Sequence, residues 1–172
     1  MATKQEIIEA IRRGEDRVIA TFGALSSEQL ATRVHDDEGD RWTAKHVLAH
    51  LAGRAEGYQR LLQRAQGTQA APAQATSQPT GGGFNVDEWN RRQVSPRVDR
   101  PVAELLEEFR RVHEDLVRQV EALPDDLLAR TVPYPPPERP LGDVIIRSGG
   151  VHSISHTAVV EQALGLPEGG RA

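Results

Sequence analysis

The chain has 172 residues, 38% of them hydrophobic, which is typical of one globular domain, so we predict a single domain over residues 1–172. It contains no cysteine, which excludes disulfides, thiolate metal ligands and a nucleophilic thiol of the protein's own. The formal charge is -4, and because Lys and Arg are scattered rather than grouped, the sequence predicts no nucleic-acid partner.

An amphipathic helix is predicted at the N-terminus. From Lys4 to Phe22, aliphatic residues recur at helical spacing with charged residues between them. A signal peptide would be apolar here, and no run in the chain approaches the ~20 apolar residues of a membrane span. The sequence therefore predicts a cytoplasmic protein that does not cross a membrane.

A second helix is predicted from Thr43 to Gly67, in the stretch RWTAKHVLAHLAGRAEGYQRLLQRAQG. Thr43 is a suitable N-cap, and Trp42 before it can pack on Val47 in a hydrophobic staple. The segment 67–83 is rich in Gln, Ala, Pro, Thr, Ser and Gly, which predicts a flexible loop. A lid over a site and a plain connection are equally compatible with such a loop.

The remaining elements complete a bundle. The segment FNVDEWNRRQV predicts a short helix, and a long third helix follows from Pro101 to Pro124. The proline-rich VPYPPPERP is predicted as an extended connection. The last stretch, LGDVIIRSGGVHSISHTAVVEQALG, predicts a fourth helix ending near Gly165, with a tail over 166–172. Its β-branched run also fits a strand, but no partner strand is evident elsewhere. The sequence therefore predicts an all-α fold, an antiparallel four-helix bundle with a short extra helix and a long loop after the second helix.

Two histidines in the predicted fourth helix, His152 and His156, are four residues apart. On a helix their imidazoles lie one turn apart on the same face, which also carries Ile145 and Val159. An imidazole on this apolar face needs a partner for its nitrogens, and a divalent metal, a neighbouring side chain or a buried water would serve. The spacing is typical of metal ligands but is not specific for them.

A third candidate ligand comes from KHVLAHLAG in the second helix. His50 lies at the edge of the apolar stripe of that helix, whereas His46 lies further towards solvent. His50 is therefore the better inward candidate, and capping or solvation explains His46. We interpret His113 as a partly buried, hydrogen-bonded side chain and His35 as a solvated loop residue.

These motifs resemble those of a known group of proteins. With Trp42 before the second helix, HVLAHLAG inside it and VHSISH in the fourth, the chain resembles the DinB/YfiT-like superfamily of metal-dependent four-helix bundles over nearly its whole length. The resemblance implies a divalent ion bound by His50, His152 and His156, and a homodimer. The Trp, the AHLAG segment and the DEWN stretch are most similar to the branch that contains mycothiol-dependent maleylpyruvate isomerase and the colibactin self-resistance family.

Such a site has a defined chemistry. Three neutral imidazoles leave an open coordination position, as in catalytic zinc sites, and both Zn²⁺ and Ni²⁺ accept such ligands. The metal would activate water or, as the resemblance implies, a low-molecular-weight thiol such as mycothiol or bacillithiol. Arg54 and Arg147 are candidate anchors for an anionic substrate, with solvated helix arginines as the alternative, and Trp89 is a candidate pocket wall.

Other residues of the same helices have structural interpretations. Glu56 and Glu161 are expected to form surface salt bridges, so no general base is assigned. Tyr58 is expected in the core. Gly149 and Gly150, which weaken a helix, are expected to allow close approach of a neighbouring helix.

The sequence leaves three functions open. The first is a metal-dependent thiol transferase, or a hydrolase, that acts on a small electrophile in detoxification. The second is a self-resistance protein that sequesters a small-molecule toxin. The third is a non-catalytic bundle with a vestigial site.

Overall fold

A computed structural model of the chain describes residues 2–37, 40–67, 86–132 and 138–168. Its helical segments are α1 (Lys4–Ala24), α2 (Ser27–Ala31), α3 (Ala44–Ala52), α4 (Ala55–Ala65), α5 (Val86–Val94), α6 (Val102–Ala122), α7 (Asp125–Ala129), α8 (Leu141–Ile145), a π-helical turn (Ile146–Val151) and α9 (His152–Leu164). Two antiparallel pairs are formed by β1 (Arg33–Asp37) with β2 (Asp40–Thr43), and by β3 (Thr131–Val132) with β4 (Arg139–Pro140). The predicted all-α four-helix bundle is confirmed.

The start of helix α1 is determined by its local sequence. The Thr3 hydroxyl accepts a hydrogen bond from the Glu6 amide, and the Glu6 carboxylate accepts one from the Thr3 amide at 2.7 Å. This capping box satisfies amides that the first helical turn leaves without partners. The buried face of α1 then packs against α6, α9 and the π-helical turn.

Two apolar clusters form the interior. The Ile11 cluster draws mainly on α1, α4, α6 and α8 and includes Ile7, Ile11, Tyr58, Leu62, Leu116, Val120, Leu141 and Ile145. The Phe22 cluster draws mainly on α1, α3, α6 and α9 and includes Val18, Phe22, Trp42, Val47, Leu51, Leu105, Phe109 and Val160. Complete burial of one large apolar side chain stabilises a fold by ~1.5–3 kcal/mol, so these clusters hold the four long segments together. Buried polar side chains occur on the same helices, among them Thr21, His50, His113, Ser153, Thr157 and Glu161.

The predicted second helix is interrupted, so the prediction of one continuous helix is wrong. Helix α3 ends at Ala52 with Gly53 as its C-cap, and α4 begins at Ala55. A Cβ atom on Gly53 would lie 3.0 Å from Cβ of Gln93 on α5, so glycine allows α5 to approach at the break.

The predicted fourth helix is continuous but not regular. Helices α8 and α9 are joined by the π-helical turn, in which the backbone hydrogen bonds widen to a five-residue spacing. The C-terminus agrees with the prediction, because α9 is capped by Gly165 in the left-handed conformation with φ 64°.

Several short elements were not predicted. The polar stretch before Trp42 forms strands β1 and β2, so the loop expected around His35 is a hairpin in which His35 pairs with Trp42. The helices α2 and α7 and the short β3–β4 pairing were also missed. Residues 68–83 of the predicted loop, 133–137 of the proline-rich connection and 169–172 of the predicted tail lie outside the described residues. In the described part of the chain, no helix is both long and apolar enough to cross a membrane.

Candidate metal centre

His50 lies in the last turn of α3 and points into the bundle, where its residue is only 5% exposed. The ring of Trp42 packs beside it, with ring centroids 5.3 Å apart. The hydrophobic staple expected for Trp42 and Val47 is compatible with their joint burial in the Phe22 cluster. Trp42 thus also walls one side of the His50 imidazole, a contact that the sequence did not indicate.

His152 and His156 lie in the first two turns of α9, directly after the π-helical turn. Their ring centroids are 4.3 Å apart, and the His50 ring lies 5.2 Å from His152 and 5.0 Å from His156. The Nε2 atoms of His50 and His152 are 3.0 Å apart. One nitrogen from each of the three side chains lies within 4.8 Å of the others, so the structure brings together the three predicted residues. We refer to them as the His triad.

Two imidazoles of the His triad, those of His50 and His152, are held in their neutral form. Burial lowers the pKa of His50 to about 3, with smaller contributions from His156 and Arg54. Burial also lowers the pKa of His152 to about 2, helped by the charge of Arg54 and by the other two histidines. A neutral imidazole is the form that binds a metal ion, so no proton has to be displaced from these two residues at neutral pH.

The donor set fits one divalent ion. In a tetrahedral site with metal–nitrogen bonds of about 2.1 Å, neighbouring nitrogens lie about 3.4 Å apart, close to the 3.0 Å between the two Nε2 atoms. The second ring nitrogen of His50, Nδ1, is buried with no hydrogen-bond partner among the described residues. Among the described residues, no carboxylate joins the His triad in a ligand group, which leaves a coordination position open.

Glycines place the histidine-bearing helix against α1. A Cβ atom on Gly150 would lie 2.5 Å from the Ala10 carbonyl oxygen, and one on Gly14 would lie 3.0 Å from the Gly150 carbonyl oxygen. A Cβ on Gly149 would meet Ile11 and Leu116 at 3.2 Å. The expected close helix approach at Gly149 and Gly150 is therefore present, and the sequence missed its partner Gly14.

The other two described histidine side chains have structural roles. His46 is the third residue of α3, and its Nδ1 atom lies 2.8 Å from the Thr43 hydroxyl in a capping box, as expected. His113 is fully rather than partly buried, with Nδ1 3.0 Å from the Phe109 carbonyl and Nε2 3.3 Å from the Gly149 carbonyl. A neutral imidazole carries one N–H, so it can donate to one of these two oxygens only.

A shallow groove of about 290 Å³ opens beside the His triad on the surface of α9. It is lined by Arg147, Val151, His152, Ser155, His156 and Val159. Val151 and Val159 are 47% and 38% exposed, an unusual position for large apolar side chains. The candidate anchor Arg147 thus shares a groove with two of the three histidines.

The candidate anchor Arg54 lies in the turn between α3 and α4, four residues after His50. Its guanidinium carbon lies 5.5 Å from the centroid of the Tyr58 ring. Tyr58 itself is buried in the Ile11 cluster, as expected, and its hydroxyl donates to the Ser148 carbonyl at 2.9 Å. Trp89, the predicted pocket wall, stacks instead on the guanidinium of Arg60, at 4.6 Å, and does not line the groove on α9.

The two carboxylates on the histidine-bearing segments are in ion pairs. Glu56 pairs with Arg60 on the exposed surface of α4, as expected. Glu161 was expected in a surface salt bridge, but it is buried: it accepts hydrogen bonds from Arg17 at 2.6 Å and from the Thr21 hydroxyl at 2.7 Å. That prediction is wrong because α1 packs directly over this turn of α9. Neither residue is in the ligand group of the His triad.

Comparison with known proteins assigns the family. The family model for the mycothiol maleylpyruvate isomerase N-terminal domain matches residues 11–148. The chain belongs to this family. The matched region includes His50 and ends before His152 and His156. A search of curated protein sequences gives no match.

Solved structures share the fold of this family member over almost its whole length. YfiT from Bacillus subtilis, described as a probable metal-dependent hydrolase with an unusual four-helix bundle topology, aligns with a TM-score of 0.66 and 16% identity over 95% of this chain and 89% of its own. An uncharacterised protein from Clostridium difficile 630 aligns with a TM-score of 0.72 and 13% identity over 96% and 97%. The colibactin self-resistance protein ClbS aligns with a TM-score of 0.70 and 14% identity over 96% and 95%. The predicted membership of the DinB/YfiT-like superfamily is confirmed.

One prediction about partners is wrong. The scattered charges led us to exclude nucleic acid, but ClbS was crystallised in complex with double-stranded DNA. A protein of this fold therefore contacts DNA, and net charge does not exclude such a partner. The homodimer implied by the resemblance stays a prediction.

Proposed function

We propose that this protein is a metal-dependent enzyme that transfers a low-molecular-weight thiol to a small electrophile. The observation that carries the proposal is the His triad: three imidazoles, two of them with strongly lowered pKa values, converge on one point and leave a coordination position open. The name of the matching family, which refers to mycothiol, supports a thiol as the second substrate. Zn²⁺ and Ni²⁺ are both compatible with three nitrogen ligands.

In this mechanism the protein's own residues bind and orient the reactants. His50, His152 and His156 would hold the ion, which would lower the pKa of a bound thiol and keep it as the thiolate at neutral pH. The thiol has to be an external molecule because the chain contains no cysteine. The S–H proton would leave to solvent through the open groove on α9. The sulfur would then form a bond to the electrophilic carbon while the bond from that carbon to its leaving group breaks, and the leaving group would depart with that electron pair and take up a proton from solvent. Trp42, packed against His50, shields that side of the centre from water.

The absence of a carboxylate from the ligand group favours a thiol over water as the nucleophile. Metal-activated hydrolysis usually uses a general base beside the bound water, and the described residues offer no carboxylate in this group. A thiol loses its proton far more easily than water, so it needs no such base. Hydrolysis is the second candidate, supported by the description of YfiT as a probable metal-dependent hydrolase.

Sequestration of a toxin without turnover is a third candidate, supported by the likeness to the colibactin self-resistance protein. It would use the same groove and would yield a stoichiometric complex instead of a product. Detoxification is the physiological role that we propose in either case.

The first test is the metal content of the purified protein, measured by elemental analysis before and after loading with Zn²⁺ or Ni²⁺. We expect about one ion per chain in the parent protein and none in a folded variant with His50→Ala, His152→Ala and His156→Ala. The matched control is His46→Gln, which removes an imidazole from the same helix and keeps a capping side chain at the third position. Loss of metal in the control, or retention in the triple variant, would contradict the proposed site.

The second test separates the three candidates. The loaded protein is mixed with a panel of electrophiles, with and without a low-molecular-weight thiol, and products are identified by mass spectrometry. A thioether product that requires both metal and thiol supports the transferase. Product formed without thiol indicates hydrolysis, and a one-to-one complex without product indicates sequestration.

A further inference from the structure

The π-helical turn (Ile146–Val151) changes the direction in which the last helical segment presents its side chains. In an uninterrupted α-helix, Ile145, His152 and Val159 would share one face, as expected from the sequence, because seven residues make about two turns. In the structure Ile145 is fully buried, whereas Val159 is 38% exposed. A π turn contains one extra residue, which rotates the helix after it by about 100°. The turn therefore sets the direction of His152, the first residue of α9.

A carbonyl of this turn receives a hydrogen bond from another helix. The amide of His152 donates to the Arg147 carbonyl five residues earlier, and the return from this spacing to that of an α-helix leaves one carbonyl without an amide donor. The next carbonyl, that of Ser148, accepts a hydrogen bond from the Tyr58 hydroxyl at 2.9 Å. A buried carbonyl that lacks a donor is costly, so this bond stabilises the π turn relative to a regular helix.

The Tyr58 hydroxyl is a fixed donor. Its side chain is buried in the Ile11 cluster, and its ring packs edge-on against the ring of His113 on α6, with centroids 5.9 Å apart and planes at 83°. Burial raises the pKa of Tyr58 above its ordinary value, so the hydroxyl keeps its proton at neutral pH. His113 reaches the same turn, with Nε2 3.3 Å from the Gly149 carbonyl. The position of the donor is thus set by packing against α6.

Tyr58 shares a chain segment with one of the candidate metal ligands. His50 lies in the last turn of α3, and Tyr58 lies in the first turn of α4, after the break at Gly53. The Nε2 atom of His50 lies 3.0 Å from that of His152, whereas Tyr58 contacts Ser148, four residues before His152. Helices α3 and α4 therefore contact the last helical segment at a ligand and at the turn that precedes it.

We propose that Tyr58 is a positioning residue of the metal centre: by holding the Ser148 carbonyl, it maintains the π turn and directs the His152 imidazole towards His50. The inference rests on the metal centre of the proposed function and adds a residue that controls its geometry. Groups that orient a metal ligand by a hydrogen bond affect metal affinity by about 10–100-fold. Tyr58 acts through the backbone rather than on the imidazole itself, so we expect an effect at the lower end of this range.

The test is Tyr58→Phe, which removes the hydroxyl and keeps the buried ring. The affinity for Zn²⁺, measured by competition with a chelator, should fall about 10-fold. The visible absorption bands of the cobalt-loaded protein report the arrangement of the ligands around Co²⁺, so they should change in position or intensity. A loss of stability alone would leave these bands as they are in the parent protein.

The matched control is Thr21→Val, which also removes a buried hydroxyl that bonds to α9 from another helix, but at Glu161 instead of at the π turn. Its Zn²⁺ affinity and cobalt spectrum should equal those of the parent, even where urea denaturation shows a comparable loss of stability. Unchanged affinity and spectrum in Tyr58→Phe, or equal changes in the two variants, would overturn the inference.

Crystal structures of the metal-free parent and of both variants separate failure of the inference from failure of the proposed function. In Tyr58→Phe we expect loss of the five-residue hydrogen bond from His152 to Arg147 and of the 3.0 Å contact between the Nε2 atoms of His50 and His152. Thr21→Val should keep both. If the parent binds no metal, the proposed function fails, and these structures then decide the inference: retention of both features in Tyr58→Phe would refute it.

Discussion

Two polar clusters are buried in this bundle, and they differ in how completely their atoms are paired. In the first, which we name the Glu161 cluster, the Glu161 carboxylate uses one oxygen for Arg17 and the other for Thr21, and all three side chains link α1 to α9. In the second, the His triad, the Nε2 atoms of His50 and His152 contact each other at 3.0 Å, and Nδ1 of His50 has no partner among the described residues. The same helix, α9, supplies residues to both clusters.

The Glu161 cluster has a structural role, whereas the His triad retains a buried nitrogen atom without a partner among the described residues. A buried carboxylate with two strong partners fixes the position of α9 on α1, although such a pair adds little net stability over an apolar contact. The His triad has an aromatic wall at Trp42 but leaves Nδ1 of His50 without a partner among the described residues. Incomplete pairing at a buried site is typical of a binding centre whose ligand supplies the missing partners.

The largest effect is expected from Gly150→Ala, which would displace the α9 segment that both clusters share. The added Cβ would lie 2.5 Å from the Ala10 carbonyl oxygen, so the helices have to separate at a cost of about 3 kcal/mol in the free energy of unfolding. Metal affinity should fall too, because His152 follows two residues later. Urea denaturation and metal titration would measure both.

Gly57→Ala is the control for the glycine substitution. A Cβ atom there meets nothing within 4 Å, and the residue lies inside α4, so this change should raise stability by up to about 1 kcal/mol. If Gly150→Ala were as harmless as Gly57→Ala, the glycine contact would not set the position of the His triad.

A smaller effect is expected from Glu161→Ala, which attacks the Glu161 cluster and leaves the His triad chemically intact. Among the described residues, the change leaves the Arg17 guanidinium, whose side chain is 15% exposed, with the exposed Glu168 as its one remaining ion-pair partner. We expect a loss of about 2–3 kcal/mol in the free energy of unfolding, with metal stoichiometry unchanged. The measurement is urea denaturation together with elemental analysis of the folded protein.

The exposed pair between Glu88 and Arg92 provides the control for the buried carboxylate. Glu88→Ala should change stability by less than about 1 kcal/mol, because both side chains are largely in water. Equal losses for Glu161→Ala and Glu88→Ala would show that the Glu161 cluster contributes no more than a surface pair.

The four-helix bundle and the three candidate metal ligands could be predicted from the sequence because both depend on helical periodicity. The four-residue spacing predicted that His152 and His156 share a face, and the apolar stripe of the second helix separated the inward His50 from the capping His46. These inferences need only the geometry of one helix at a time. The capping box at Thr43 and the left-handed cap at Gly165 are local in the same sense.

Features that depend on two helices in contact could not be predicted. Glu161 falls off the histidine face, which suggested solvent, and only the packing of α1 over α9 buries it beside Arg17. The reciprocal contact of Gly14 with Gly150 and the packing of Trp42 on His50 likewise require tertiary positions. The break at Gly53 follows from the close approach of Gln93, a residue 40 positions away in the chain.

The smallest effect is expected in the pH dependence of the free energy of unfolding of the metal-free protein. His50 and His152 have pKa values of about 3 and about 2 in the folded chain, below the ordinary value near 6.5 that they regain on unfolding. Between these limits the unfolded chain binds more protons, so stability is complete above about pH 7 and falls as the pH decreases. From pH 7 to 6 we expect a loss of roughly 1.4 kcal/mol from the two histidines, measured by urea denaturation at several pH values. Replacing both by Ala should remove most of this slope and leave that of His113, whose pKa burial also lowers. A slope that survives in the double variant would place the pH dependence outside the His triad. The experiment therefore tests whether the buried imidazoles of His50 and His152, and not other groups of the protein, cause the loss of stability at lower pH.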